Sequence, residues 1–266
     1  MIASHMDKAI IQKYRNYEYA VQSPEHVIDF IQQEYRRING RRAQSLREDF
    51  CGTGWMACEW VRRGPQQRAV GVDLSPEPIL FGKEFHYAKL RPAQQKRMRF
   101  KQENVLKAGG KFDVIVAMNF SYCIFKTRSE IVKYFKQVRK SLKPKGLFIL
   151  DLFGGTEAQI AEKTRLQYGT LTYFWECKSF NVVTNEGKWA IHFKRKGKRL
   201  ERDVFTYDWR LWGCPELLDI MKDAGFSMTR AYWEGDGKDG GGNDIFTATT
   251  NEENCNVWNS YLVAQC

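Results

Sequence analysis

The chain is poor in the residue patterns that build disulfide scaffolds and metal sites. Its seven cysteines are odd in number, and no two of them are spaced as Cys-x-x-Cys. Its four histidines show no paired ligand spacing. This pattern argues against a disulfide-stapled scaffold and against zinc, so we expect no metal site and a reducing, cytoplasmic location.

Long apolar runs are also missing. No stretch of eighteen consecutive apolar residues occurs, which excludes a membrane-spanning helix of ordinary length. The first residues lack a charged region followed by an apolar core, so we expect no secretory signal and exclude residues 1–6 from the interpretation. The 266 residues with 43% hydrophobic content are sufficient for the core of one large domain.

Acidic residues are outnumbered by basic ones, which gives a formal net charge of +11. The densest basic run is Lys194-Arg195-Lys196-Gly197-Lys198-Arg199, between two alternating segments that predict a hairpin. A solvated turn explains such a run, and no aromatic residue that could stack on a base lies within it. RNA is therefore the weaker of the partners we consider.

A glycine turn between two apolar strands is the most informative feature. Residues 48–54 read Glu-Asp-Phe-Cys-Gly-Thr-Gly; a strand from Ser45 precedes them and a helix over 56–63 follows. Asp73 stands at the end of the next strand, where an open α/β sheet binds ligands. Glycines beneath a ligand and a carboxylate on its ribose predict a nucleoside site. The turn alone also satisfies the loose dinucleotide fingerprint, so it leaves a dehydrogenase open.

The following residues continue an alternation of strands and helices. Strands are predicted over 98–100, 112–119 and 147–151, and a helix over 129–142. With these segments, the chain resembles the class I S-adenosylmethionine-dependent methyltransferases over roughly residues 14–250. The resemblance implies a Rossmann-like, doubly wound, mostly parallel seven-stranded sheet.

The resemblance also implies the cofactor-binding residues. In the family motif an acid and an apolar residue precede Gly-x-Gly-x-Gly; here Phe50 replaces the first glycine and Asp49 the apolar residue. Either Glu48 or Asp49 can therefore be the acid that faces the methionine end of S-adenosyl-L-methionine, and position favours Glu48. The predicted cofactor-binding residues are Glu48, Phe50, Gly52, Thr53, Gly54, Asp73, Leu74, Asn104, Val105, Asn119 and, from a tyrosine-rich segment, Tyr14.

A block of strands interrupts the alternation after Asp151. Segments 170–177, 180–183, 188–194 and 200–209 predict strands joined by Gly or Asn turns. By resemblance, residues 164–212 are an antiparallel β insertion that forms a lid over the acceptor, and a homodimer through this insertion is a further expectation. We divide the chain into one methyltransferase domain, 7–250, with an N-terminal helical segment, 1–39, and a C-terminal tail, 251–266. The last two strands are predicted over 227–234 and 243–250.

The acceptor side is marked by aromatic residues. Asn119-Phe120-Ser121-Tyr122 follows the fourth predicted strand, where the family's acceptor lies, but it lacks the two prolines of nucleic-acid amino methyltransferases. Ring faces suit a cationic methyl donor and a cationic amine. The predicted acceptor residues are Tyr122, Tyr207, Trp209 and Trp233, although aromatic residues on strands more often serve packing than a pocket. No residue is spaced so as to identify a general base, and the catalytic residues stay open.

These observations lead to one predicted function. We expect methyl transfer from S-adenosyl-L-methionine to a small-molecule acceptor, at nitrogen or oxygen. An RNA or protein methyltransferase is the alternative that the charge suggests, and a non-catalytic S-adenosylmethionine-binding protein is the alternative that Phe50 suggests.

Overall fold

The computed structural model describes residues 6–237 and 242–266. The first five residues of the predicted helical segment 1–39 and residues 238–241 of the last predicted loop lie outside this part. The helices are α1 (Lys8–Val21), α2 (Pro24–Asn39), α3 (Trp55–Arg62), α4 (Pro76–Phe85), α5 (Pro92–Gln95), α6 (Arg128–Ser141) and α7 (Cys214–Asp223). The strands are β1 (Ser45–Asp49), β2 (Arg68–Asp73), β3 (Met98–Gln102), β4 (Phe112–Ala117), β5 (Leu142–Gly154), β6 (Lys163–Tyr168), β7 (Leu171–Asn181), β8 (Glu186–Arg195), β9 (Glu201–Arg210), β10 (Met228–Asp236), β11 (Gly242–Thr249) and β12 (Trp258–Gln265).

The central sheet has the order β11-β10-β12-β5-β4-β1-β2-β3. Strands β1 to β5 are mutually parallel, whereas β12 runs antiparallel to both β5 and β10. This confirms the predicted doubly wound, mostly parallel sheet, which has eight strands, one more than expected. The strand order reverses between β1 and β4, so the carboxyl ends of these two strands form a crevice for a ligand.

Helices cover both faces of the central sheet. One core cluster joins the sheet to α6 and α7, and a second joins it to α2 and α3. Local signals explain where these helices begin and end. Thr127 and Glu130 form a capping box at the start of α6, and Gly40 ends α2 in the left-handed conformation at φ 69°.

The C-terminal segment corrects the sequence-based prediction. Residues 251–266 were predicted to be a tail, but Trp258–Gln265 is strand β12 in the interior of the sheet. Leu262, Val263 and Ala264 are fully buried there. The predicted last strand, now β11, is instead an edge strand with mostly exposed residues. The local alternation of β11 resembles that of a core strand, and pairing between distant segments decides which one enters the sheet.

Strands β6 to β9 form a separate antiparallel sheet in chain order, which we call the lid. It spans residues 163–210, against the predicted 164–212. The prediction split β7 in two because a register shift between Cys177 and Ser179 interrupts its alternation. It missed β6, an edge strand with four exposed residues and no apolar alternation. A homodimer through the lid stays a prediction.

No helix in residues 6–237 and 242–266 combines the length and apolar character needed to cross a bilayer.

Candidate active site

The carboxyl ends of β1, β2 and β4 border a cavity of about 400 Å³, which we call the cofactor cavity. Seven of the predicted cofactor-binding residues line it: Tyr14, Glu48, Phe50, Gly52, Thr53, Asp73 and Asn119. They come from four separate parts of the chain, and the switch point between β1 and β4 brings them together. The cavity therefore collects most of the motif residues in one place.

The glycine turn fixes Asp73 at the floor of this cavity. Gly52 has φ 52° and open space where a Cβ would lie, and its N–H donates to Asp73 Oδ2 at 2.8 Å. Asp73 Oδ1 accepts from the N–H of Ser75 at 2.8 Å. Gly54 lines no part of the cavity; a side chain there would collide with the Phe100 ring. Its role is to let α3 begin close to β3.

The two neighbouring acids of β1 have different partners. Asp49 pairs with Arg47 at 2.8 Å, with both side chains fully buried, and accepts from the hydroxyl of Tyr134 at 2.9 Å. Glu48 points to the other face of the strand and accepts from the N–H of Ala57 at 2.9 Å. Burial raises the pKa of Glu48 to about 8. Glu48 therefore makes no described ion pair, and its contact with the methionine end of the cofactor stays a prediction.

Helix α1 closes the cofactor cavity from above. The Tyr14 hydroxyl donates to Glu77 Oε1 at 2.8 Å, and its ring lies 5.1 Å from that of Phe81. The same ring lies 6.0 Å from that of Phe205 in the lid. Glu18 accepts from the hydroxyl of Thr53 at 2.6 Å. Helix α1 therefore connects the glycine turn, α4 and the lid.

Three predicted cofactor residues lie beside the cavity and do not line it. Leu74 is 65% exposed, Asn104 is exposed, and Val105 is buried in the core. The N–H of Glu103 donates to the carbonyl of Asp73 at 2.9 Å, which keeps the segment that follows β3 beside Asp73. Contacts of Leu74, Asn104 and Val105 with an adenine ring stay a prediction.

Phe50 occupies the left-handed conformation at φ 56°, which glycine adopts most easily. Its ring packs 5.6 Å from that of Tyr134 and 6.1 Å from that of Phe125, so it points into the core and leaves the cavity open. We expect Phe50→Gly to lower the free energy of unfolding by about 1–2 kcal/mol, because lost packing outweighs relieved strain. Phe50→Ala loses the ring and keeps the strain, so it should be about 1 kcal/mol less stable than Phe50→Gly in urea unfolding.

A strained turn at the end of β4 is the other fixed part of the site. Asn119 and Phe120 are both left-handed, at φ 57° and 56°. The Asp151 carboxylate accepts from their N–H groups, at 2.6 Å from Asn119 and 2.9 Å from Phe120. We call this the Asn119–Phe120 turn. Asp151 thus holds a backbone conformation that the turn would not readily adopt alone.

Two further cavities meet the cofactor cavity at Asn119, which lines all three. The first, of about 270 Å³, lies under the lid, and we call it the aromatic chamber. Its rings belong to Tyr17, Phe120, Phe153, Tyr173, Trp175, Trp189, Tyr207 and Trp209. The second, of about 380 Å³, is bordered by Glu48, Asp151, Glu234 and Asp244, and we call it the acidic chamber.

The predicted acceptor residues separate into two groups. Tyr207 and Trp209 line the aromatic chamber, with ring centroids 4.2 Å apart. Tyr122 does not fit its predicted role, because it is fully buried and its hydroxyl donates to the carbonyl of Asp151 at 2.8 Å. Trp233 does not fit either, because it lines neither chamber and packs 4.8 Å from Trp258.

Sequence reasoning missed several residues of the site. Phe205 and Lys13 line the cofactor cavity, and Glu18 anchors Thr53. The dense tyrosines of α1 were the available signal for this region. Glu176, His192 and Asp203 form a cluster in the lid, but His192 already bonds Glu176 through Nε2 and the N–H of Asp203 through Nδ1. Both ring nitrogens of His192 are thus occupied by protein groups.

Comparisons with known proteins bear on this site. The sequence profile of a family described as "Methyltransferase domain" matches residues 51–148. The chain is 23% identical over 190 residues to "Putative methyltransferase YqeM" of Bacillus subtilis (strain 168), covering 68% of this chain and 72% of that protein.

Solved structures share the fold. An S-adenosylmethionine-dependent methyltransferase from Clostridium acetobutylicum ATCC 824 aligns over 97% of this chain and 99% of its own, with a TM-score of 0.69 and 20% identity. CalS10, an amino pentose methyltransferase from Micromonospora echinaspora, aligns over 98% of both chains with a TM-score of 0.65 and 14% identity. At these identities the likeness shows the fold alone.

Proposed function

We propose that this chain, which belongs to the class I S-adenosylmethionine-dependent methyltransferases, methylates a small-molecule amine held in the aromatic chamber. The observation that carries the proposal is the position of Asn119, where the cofactor cavity and the aromatic chamber meet. A methyl group presented at this junction would lie between the bound cofactor on one side and the lid on the other.

The cofactor cavity fits S-adenosylmethionine. Asp73 offers a carboxylate for the ribose hydroxyls, and the Gly52 turn leaves room for close approach of the ligand. Glu48 is a buried carboxylate whose only described bond is to the N–H of Ala57, so it can receive the ammonium of the methionine end. When bound, the cofactor supplies a methyl group on a positively charged sulfur, which a nucleophile displaces in line.

The chain's own contribution is positioning. Holding two reactants in a near-attack geometry can supply about 7–11 kcal/mol of the barrier. The Asn119–Phe120 turn, fixed by Asp151, borders both reactants, and α1 joins the glycine turn to the lid. These contacts would exclude water and align the acceptor.

The chamber favours nitrogen over oxygen as the acceptor atom. Ring faces attract the positive charge that develops on an amine during attack. An oxygen acceptor needs a positioned base more strictly. Burial raises the pKa of the hydroxyls of Tyr17, Tyr173 and Tyr207, so they stay protonated at neutral pH, and Glu157 and Glu162 are exposed at the rim.

The size of the chamber favours a small molecule over RNA. The basic turn 194–199 borders neither the aromatic nor the acidic chamber. The chain should be incubated with methyl-labelled S-adenosylmethionine and fractionated cell extract. Label in an amine metabolite supports the proposal; label in RNA, with binding that weakens steeply as salt is added, would overturn it.

Truncation of a chamber wall gives a sharper test. Trp175 lies 5.7 Å from Tyr207 and 6.1 Å from Trp209, and it borders only the aromatic chamber. We expect Trp175→Ala to lower kcat/KM for the amine about 30-fold, while the Kd for S-adenosylmethionine changes less than about threefold. Trp233→Ala, a half-buried tryptophan outside both chambers, is the matched control and should leave kcat/KM nearly unchanged.

A further inference from the structure

In the acidic chamber, Glu48 and Asp151 already have roles in the reaction described so far, whereas Glu234, Asp244 and Ser260 have none. Four carboxylates border it, those of Glu48, Asp151, Glu234 and Asp244, and no described residue on its wall is a lysine or arginine. The other ionisable side chains on its wall are those of His26, Tyr168, Tyr173 and Tyr261. The space therefore favours a positively charged group.

The carboxylates at the far end of the chamber converge on one space. Glu234 Oε1 accepts from the N–H of Asp244 at 2.9 Å, which fixes these two residues of neighbouring strands beside each other. The pKa of the Tyr261 hydroxyl is raised by burial first and then by the charges of Asp151, Glu234 and Asp244. All three carboxylates therefore act on the same ring.

A buried hydroxyl gives a second, independent observation. Ser260 borders the chamber, is 1% exposed, and its Oγ has no hydrogen-bond partner in the described part of the chain. Leaving a buried polar group unpaired costs about 1–3 kcal/mol. A polar group of a ligand in the chamber would remove this cost.

The acidic chamber adjoins the aromatic chamber as well as the cofactor cavity. Asn119, Phe120 and Tyr173 border both chambers, so one molecule can extend from one into the other. Glu234, Asp244 and Ser260 border the acidic chamber and lie outside the cofactor cavity. The ammonium of the cofactor can thus approach Glu48 while the far end stays free for the acceptor.

We propose that the far end of the acidic chamber binds a second cationic group of the acceptor, so that the substrate class is a small diamine. The inference rests on the proposed function. The reacting amine lies among the rings at Asn119, and the second ammonium lies between Glu234, Asp244 and Asp151. The rings hold the apolar body between the two nitrogens.

A matched pair of probes tests the subsite. 1,4-Bis(aminomethyl)benzene and 4-ethylbenzylamine have nearly the same shape and differ by one ammonium. With protein saturated by S-adenosylhomocysteine, calorimetry should show the diamine binding about tenfold or more tightly than the monoamine. Glu234→Gln keeps the acceptor for the N–H of Asp244 and should reduce that ratio about fivefold. Glu253→Gln removes a charge outside the chamber and should leave the ratio unchanged.

The pH dependence adds a second readout. Burial raises the pKa of Asp151 to about 7 and that of Glu48 to about 8. Glu234, Asp244, His26, Tyr168, Tyr173 and Tyr261 face the same space. A bound cation favours the ionised carboxylates, so the diamine should bind more tightly at about pH 8 than at about pH 6, while both amines stay protonated.

The outcomes separate the subsite from the function. Equal affinity for diamine and monoamine, or an unchanged ratio in Glu234→Gln, would overturn the subsite even if amines are methylated. Absence of methyl transfer to any amine would overturn the proposed function. The proposal also requires that Glu234→Gln leave the Kd for S-adenosylmethionine unchanged. Weaker binding of S-adenosylmethionine by this variant would mean that the chamber binds the methionine end of the cofactor.

Discussion

We expect Asp73→Ala to bind S-adenosylmethionine about a hundredfold or more weakly than the wild-type chain. A carboxylate that accepts from both ribose hydroxyls makes two charge-assisted hydrogen bonds, and losing such bonds costs about 1.5–3 kcal/mol each. Calorimetry with S-adenosylmethionine and S-adenosylhomocysteine measures the loss, and both ligands should lose affinity equally because they share the ribose.

A control must account for the protein contacts of Asp73. Its carboxylate also accepts from the N–H groups of Gly52 and Ser75, so the substitution removes two contacts of the turn together with the expected ribose contact. Asp73→Asn keeps one acceptor oxygen and should retain the thermal midpoint more closely while still losing most of the affinity. Asp219→Asn, an exposed carboxylate on α7, should change neither quantity. Undiminished affinity in Asp73→Ala would contradict the ribose assignment.

The second large effect is expected at Asp151. Asp151→Ala removes the acceptor for two N–H groups of the left-handed Asn119–Phe120 turn. We expect the free energy of unfolding to fall by about 2–4 kcal/mol and kcat to fall about a hundredfold, because the turn borders all three cavities. Urea unfolding and single-turnover methyl transfer measure the two losses.

A second substitution distinguishes the turn from other causes. Glycine adopts the left-handed conformation freely, so Asn119→Gly in the Asp151→Ala background should recover about 1 kcal/mol of stability. Asn119→Gly also removes the Asn119 side chain from the cofactor cavity, which would lower activity for a separate reason. The double variant and Asp151→Ala should therefore be compared by their free energies of unfolding and not by their activities. A double variant no more stable than Asp151→Ala would mean that Asp151 acts elsewhere.

The pH dependence of stability follows from the same carboxylate. Burial raises the folded-state pKa of Asp151 to about 7, well above its value of about 4 in an unfolded chain. The folded state therefore binds the Asp151 proton more tightly than the unfolded state does. The contribution of this proton to the free energy of unfolding falls as pH rises from about 4 to about 7. Asp151→Asn carries no such proton, so its stability should decline less across this interval than that of the wild type.

Much of the site could be predicted from sequence because its signals are local. The glycine turn at 52, the acid at the end of β2 and the alternation of the lid each depend on residues close together in the chain. The family resemblance then placed Asp73, Asn119 and Tyr14, and the cofactor cavity brings all three together. The predicted fold class is confirmed by the sheet order and by the solved structures, and the match over residues 51–148 to a methyltransferase domain supports the predicted activity.

Features that depend on distant partners could not be read in this way. Trp209 and Trp233 both lie on strands rich in aromatic residues, yet only Trp209 lines the aromatic chamber. Strand β12 was mistaken for a tail because its buried position depends on pairing with β5 and β10. The hydrogen bonds of Asp151 to the Asn119–Phe120 turn join residues about thirty positions apart. Local periodicity contains no signal for such a contact.

The amino-acid sequence alone determined the doubly wound sheet and the position of Asp73 beside the glycine turn, because short motifs impose their own backbone geometry. Only the tertiary structure decided which of two adjacent acids is held in an ion pair, since alternate residues of β1 point to opposite faces and Arg47 pairs with Asp49. It also decided that an aromatic and an acidic chamber lie beside the cofactor cavity, because strands far apart in the chain supply their walls.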